Sequence, residues 1–395
     1  MNRQVTSERL QAPPATGGVT RAAISTFFLI LGLGFGSWVV RIPDVQNQLH
    51  LSKGALGGAL LAVTVGSLIG MPLAGWLTGR IGSARVLRAS AVVLAVGVAL
   101  PAYAGSWWGL CAVLVVLGLG NGAEGVAMNV QGALLERNRQ QAIMSSFHGV
   151  FSIGGLIGSL AGGALADAGV SPRAHLTGVA VLLLLLTAVA GLRLLPTPPD
   201  PGRQGHSFAL PGKPVVAAGL VAFCVLFGEG AVSDWSAVYL KNDLDAAALA
   251  GIGYAAFAGA MAVGRMAGDR LASALGAHRL VTVGGLLGAA GITVAVLVPV
   301  PYTVVLGFGL MGAGLSVVYP QMVSAAGRTP GMVPDVAIAA VSTVGYFGFL
   351  VGPPAIGGLA EVMSLRWALL LVAVCAAVIV VLSGHALRDA EPVEQ

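Results

Sequence analysis

Sixteen acidic residues are spread through the 395, and a few fall inside long apolar runs, where an acid is costliest. Glu124 sits in Gly118-Leu119-Gly120-Asn121-Gly122-Ala123-Glu124, and Glu229 in Phe227-Gly228-Glu229-Gly230. Carboxyls in such surroundings can load and release a proton or meet a polar solute. At helical spacing Asn121, Glu124, Met128 and Gln131 form one stripe; Glu229, Ser233 and Ser236 form another. A polar stripe on a lipid-embedded helix is expected to face a cavity. The competing reading of each acid is a hydrogen-bonded packing group. Asp234 lies on another face, nearer the outer end of its run, and reads equally as a solute contact or as an interfacial residue paired with Arg41.

Other polar side chains share this pattern. Gly34, Trp38 and Arg41 lie on one face. Trp38 could stack on a sugar ring or an aromatic solute, or belong to an interfacial belt. Arg41 could meet an anionic solute, Glu229 or Asp234, or snorkel to the interface. His148, with Ser145 and Ser152 on its face, could relay protons near neutral pH or simply pack. Tyr319 and Gln321 flank Pro320, a flexible gate or an ordinary kink. Ser342, Tyr346 and Phe349 make a comparable stripe. The candidates are thus Glu124, Glu229 and His148 for protons, and Trp38, Arg41, Asn121, Gln131, Ser233, Asp234, Tyr319 and Tyr346 for solute.

Nothing in the sequence points to an enzyme. His-Glu-x-x-His, Walker and Ser-x-x-Lys patterns are absent. Cys111, Cys224 and Cys375 show neither metal spacing nor a paired pattern and read as small buried hydrophobes. No metal or cofactor is called for, and the small scattered charge of +5 does not suggest nucleic acid.

The elements that position these residues follow from composition. The chain is 56% hydrophobic and 9% charged, against roughly 25% charged in soluble proteins. Lipid is the solvent that tolerates such a surface, and 58 glycines suit close helix–helix approach there. Apolar runs long enough to cross a bilayer lie near 22–45, 55–78, 86–104, 107–132, 143–168, 174–194, 214–240, 249–268, 279–299, 302–324, 335–360 and 366–384. The first is too long for the core of a signal peptide and reads as a membrane helix. With both termini in the cytoplasm, 16 of the 21 basic residues fall inside, and Arg41, Lys53, Arg173, Lys241 and Arg366 fall outside.

An internal repeat is visible at an offset of about 190 residues. Gly79-Arg80 corresponds to Asp269-Arg270, and Gln131 to Gln321. Gly154, Gly158 and Gly162-Gly163 return as Gly348, Gly352 and Gly357-Gly358. The expected architecture is all-α: about twelve transmembrane helices in two pseudo-symmetric six-helix bundles related by an axis along the membrane normal. The bundles are placed at 22–195 and 214–384, joined by a cytoplasmic linker at 196–213, with cytoplasmic tails at 1–21 and 385–395.

Gly75-Trp76-Leu77-Thr78-Gly79-Arg80-Ile81-Gly82-Ser83-Ala84-Arg85 resembles the loop signature of the major facilitator superfamily, with Gly79 in place of its Asp. The second copy, Gly264-Arg265-Met266-Ala267-Gly268-Asp269-Arg270, keeps the Asp-Arg pair. The signature implies a charged latch at the cytoplasmic helix ends, here formed by Arg80, Arg265, Asp269 and Arg270. Trp38-Val39-Val40-Arg41-Ile42-Pro43, Ser145-Ser146-Phe147-His148-Gly149 and Asp234-Trp235-Ser236-Ala237-Val238-Tyr239-Leu240 are similar to the YbjJ-like bacterial permeases, near the fucose permease branch. That branch carries an acid in a Gly-Leu-Gly context like that of Glu124, where it is implicated in proton handling. The resemblance implies a monomeric carrier of the bacterial inner membrane. It would take up a small polar solute, a sugar or related metabolite, with protons and by alternating access. Proton-coupled efflux is the alternative, weakened because the fifth span lacks the antiporters' Gly-Pro-x-x-Gly-Gly motif. A non-transporting receptor or scaffold is a third reading, disfavoured by the lack of a sizeable soluble domain.

Overall fold

The structure is a computed structural model and describes residues 17–139, 143–196 and 215–388. Twelve helices in it are long and apolar enough to cross a bilayer: Gly18–Val39, Lys53–Ile81, Ser83–Tyr103, Trp107–Arg139, Ser146–Asp167, Pro172–Gly191, Val216–Asp243, Ala247–Gly268, Ala277–Leu297, Pro301–Ala326, Val336–Met363 and Leu365–Leu387. They are called the first to twelfth spans. Among the described residues there is no strand.

In two of the spans the helix breaks beside a proline. The sequence suggests one run over 22–45, but the first helix stops at Val39 and a short helix, Ile42–Gln48, follows. Pro43 has no N–H to give the carbonyl of Val39, and its ring disfavours helical backbone just before it. In the tenth span one helix ends at Leu315 and the next begins at Val318. Pro320 cannot bond the carbonyl of Ser316, so the break falls one turn ahead of the proline.

The repeat seen in the sequence is a repeat of packing. In the first half the first span lies against the fifth and sixth, the fourth against the second and third, and the third against the sixth. In the second half the seventh lies against the eleventh and twelfth, the tenth against the eighth and ninth, and the ninth against the twelfth. The matched glycines make corresponding contacts. A β-carbon at Gly154 would overlap the backbone of the first span at Leu29, and one at Gly348 that of the seventh span at Phe223. Without a hydrophobic drive between helices in lipid, such backbone approach is a main source of cohesion. The halves meet through another symmetric pair of contacts, fifth span on eighth and eleventh on second.

Candidate functional site

Between the halves lies a cluster of polar and aromatic side chains. Glu229 of the seventh span and Arg265 of the eighth form a half-buried ion pair, with Arg265 Nη2 3.2 Å from Oε1 and 3.5 Å from Oε2. Nη1 of the same guanidinium donates to Ser152 Oγ of the fifth span at 3.4 Å, so it touches both halves. Tyr254 lies about three turns before Arg265 on the same helical face. Its hydroxyl rests against Ser233, within electrostatic reach of Glu229, Arg265 and Asp234. Phe35 of the first span meets the Tyr254 ring edge-on, with centroids 6.4 Å apart. Tyr319 donates to Ser342 at 3.2 Å, and Tyr346 packs beside Phe349. Both tyrosines lie within electrostatic reach of Glu229. Spans from both halves thus converge on one charged pair ringed by hydroxyls and aromatic faces.

The model of the Major Facilitator Superfamily matches residues 22–326 and 218–395, which together span nearly the whole sequence. The chain belongs to the Major Facilitator Superfamily. It is therefore a multi-pass membrane transporter. An uncharacterized MFS-type transporter of Yersinia pestis is 35% identical over 339 residues, covering 86% of this chain and 88% of that one. The membrane protein MosC of Rhizobium meliloti is 33% identical over 386 residues, 93% of each. The crystal structure of a mutant of the nucleoside transporter NupG matches with a TM-score of 0.74, over 94% of this chain and all of that one. At 13% identity that match shows the fold alone.

On this superfamily fold the residues named from sequence separate into groups. Glu229, Ser233, Asp234, Tyr319 and Tyr346 belong to the cluster. His148 stands edge-on to Phe28, within electrostatic reach of Arg265, at its margin. The stripe of the fourth span does not face the cluster as expected. Gln131 donates to Ser83 and to the Leu195 carbonyl and accepts from Leu195 N–H, all within the first half. Asn121 donates to Ser67 of the second span. Glu124 lies one turn beyond Gly120, where a β-carbon would strike the third span at Leu94. It is fully buried inside the first bundle, and neither carboxyl oxygen has a partner. A helical stripe shows which residues point the same way, but a membrane helix has several polar-tolerant directions and only one is the cavity.

Neither Arg41 nor Arg265 has the partner first expected of it. Arg41 is buried, and does not meet Glu229 or Asp234. It donates to His175 Nδ1, to Asp44 and to the Val170 carbonyl, each at 2.9 Å. Asp44 lies three residues after Arg41, at the spacing that brings side chains together on a helix. Arg265, assigned by the loop signature to a latch, lies a full turn inside the span and takes Glu229. The side chain of Asp269, its expected latch partner, lies outside the described residues. Arg80 stacks on Trp76, 4.2 Å from the ring centroid, and Arg270 is exposed. Trp38 is buried at 1% exposure among core residues, which leaves little ring surface for a solute to stack on. Cys224 and Cys375, with no pairing visible in the sequence, lie thiol to thiol between the seventh and twelfth spans.

At the end remote from Pro196 and Val215, polar side chains clasp the halves together. Asp44 pairs with Lys241, and Lys53 with Asp243 at 2.6 Å. Gln46 and Asn47 bond Asn242, and Glu361 accepts from Gly54 N–H at 2.5 Å. Lys241, Asn242 and Asp243 sit in a π-helical turn, Tyr239–Asp243, that ends the seventh span. Sequence reasoning named none of these as functional. A usable signal was the polar run Lys241-Asn242-Asp243 facing an equally polar 44–48 one repeat earlier.

Proposed function

We propose that the protein is a secondary active transporter that takes up a small polar solute with protons, by alternating access of its two halves. The observation that carries this reading is the Glu229–Arg265 pair, with Arg265 reaching across to Ser152 of the other half. A proton arriving on Glu229 removes the charge that holds the guanidinium. Arg265 is then left half-buried without its counter-ion, an arrangement that strongly favours any conformation supplying a new partner. Protonation and the contact between halves are thereby coupled through one side chain, as a symporter requires.

The reading places both termini in the cytoplasm of a bacterial inner-membrane protein working as a monomer. The clasp around Asp44, Lys53, Lys241, Asp243 and Glu361 then closes the outer side. The test is accumulation in proteoliposomes under an imposed pH gradient, inside alkaline, with a solute first found by thermal stabilisation. Wild-type protein is expected to concentrate the solute and to lose this with a protonophore. Glu229→Gln is expected to exchange solute without concentrating it. Accumulation in the wild type that ignores the gradient would overturn the coupling, and solute-driven proton exit from the same vesicles would replace uptake by efflux.

A further inference from the structure

Asp234 is the unbalanced charge of the cluster. It lies five residues after Glu229, about 140° around the helix, so it cannot share the Arg265 pair. Among the described residues it has neither a hydrogen bond nor an ion pair. The basic side chains of the cluster and of the outer helix ends are all engaged elsewhere. Arg265 is held by Glu229; Lys53 and Lys241 are held by Asp243 and Asp44. Arg41 is held by Asp44, His175 and Val170, Arg173 by the Ala102 carbonyl, and Arg366 by the carbonyls of Val296 and Leu297. Among the described residues, therefore, no cation is paired with this carboxyl.

Glu124 offers a contrast. It too lacks a partner, but it is wholly enclosed, with no surface open to a solute. Asp234 is partly open, with Tyr254 close by and Gly230, one turn earlier, facing the Phe349 ring. A carboxylate beside aromatic faces is the chemistry that receives an ammonium group. The hydroxyls of Ser152, Ser233, Ser342, Tyr319 and Tyr346 suit the remainder of a hydroxylated molecule.

We propose that Asp234 seats the ammonium group of the solute, and that the solute class is a hydroxylated amine rather than a neutral sugar or an acid. This rests on the transporter reading above but does not require proton coupling. The test uses the full-length protein in detergent at neutral pH and three skeletons, each as amine, alcohol and acid. They are glucosamine, glucose and gluconate; 3-amino-1,2-propanediol, glycerol and glycerate; and ethanolamine, ethylene glycol and glycolate. Thermal stabilisation is titrated for each, because a specific ligand stabilises the state it binds.

The expected result is that within at least one skeleton the amine binds about tenfold to a hundredfold more tightly than the alcohol. Asp234→Asn should erase that preference, and Asp234→Glu should keep it at reduced affinity. If Asp234→Asn does not fold, the wild-type ranking and Asp234→Glu decide. A preference for the alcohol or the acid, an amine preference that survives Asp234→Asn, or silence of all three amines overturns the proposal. An amine preference in a protein that shows no proton-driven accumulation would sink the coupling and leave this assignment standing. Proton-driven uptake of an acid or a neutral sugar would do the reverse.

Discussion

Glu229 and Arg265 face each other across the seventh and eighth spans at 3.2 Å, and the same guanidinium touches Ser152 of the opposite half. Desolvation makes the net contribution of such a pair smaller than its Coulomb energy, but losing one partner is costly. Deleting one partner leaves the other half-buried and uncompensated, which costs about 3–5 kcal/mol in buried pairs and less here, since both side chains keep some exposure. Arg265→Ala should therefore destabilise the protein more than the double variant Arg265→Ala/Glu229→Ala. Thermal melts of the four members of the cycle check this. Strictly additive losses would show that the two groups do not act as a pair.

The clasp between the halves makes a second prediction. Its ion pairs are partly exposed, so each contributes about 0.5–1 kcal/mol. Removing both with Asp44→Asn and Asp243→Asn should shift the balance between closed and open arrangements at that end by roughly fivefold to thirtyfold. Spin labels at His50 and Ala248, both exposed and in opposite halves, would report the separation. Exchanging the charges of one pair, Lys53→Asp with Asp243→Lys, should restore the closed population. A distance distribution that is unchanged in the double variant would reduce the clasp to decoration.

Arg41 carries the third. Its guanidinium holds three acceptors at 2.9 Å while almost entirely buried. Arg41→Ala should cost about 3–5 kcal/mol, and Arg41→Lys should recover little, because an ammonium cannot reproduce the planar fork. Melting temperatures of the two variants test it; full recovery by lysine would mean that charge alone matters at this position.

What the sequence made legible, and what it did not, divides along physical lines. Span length is set by bilayer thickness, so twelve apolar runs translate directly into twelve helices. Repeated glycines such as Gly154 and Gly348 are legible because corresponding backbones must approach in both halves. Azimuth is not legible in the same way. The stripe through Asn121, Glu124 and Gln131 is real, yet it points into the first bundle, since apolar neighbours on every side hide which direction is the cavity. Arg265 was drawn toward a latch by its neighbours in the loop signature, although one helical turn separates a membrane surface from a buried pair. The contact of Arg41 with His175 spans 134 residues, and no local pattern encodes it.

Topology supplies a fourth prediction. Cysteines placed at Ser106, between the third and fourth spans, and at Gly205, which lies outside the described residues, should react with impermeant reagents from opposite sides of the membrane. Ser106 is expected on the outer side, in keeping with the basic residues that gather at the other end. Reaction of both from one side would reverse the orientation and, with it, the assignment of the clasp to the outside.

The last prediction concerns Glu124. Its carboxyl is fully buried, and neither oxygen has a partner. It cannot touch the solute that the cluster around Glu229 would hold. If it takes part in transport, it does so by exchanging a proton while the bundle moves. Glu124→Gln keeps the shape of the protonated acid and removes its ability to release the proton. The variant should fold, bind solute as the wild type does and exchange it across the vesicle wall. Accumulation under a proton gradient should fall to the level of passive equilibration. Glu229→Gln should also lose accumulation, but with weakened binding, because its partner Arg265 is part of the solute cluster. Measuring binding, exchange and accumulation side by side separates these outcomes. Should Glu124→Gln still concentrate solute against a gradient, Glu124 is a packing residue, and the proton must be carried by Glu229, Asp234 or His148.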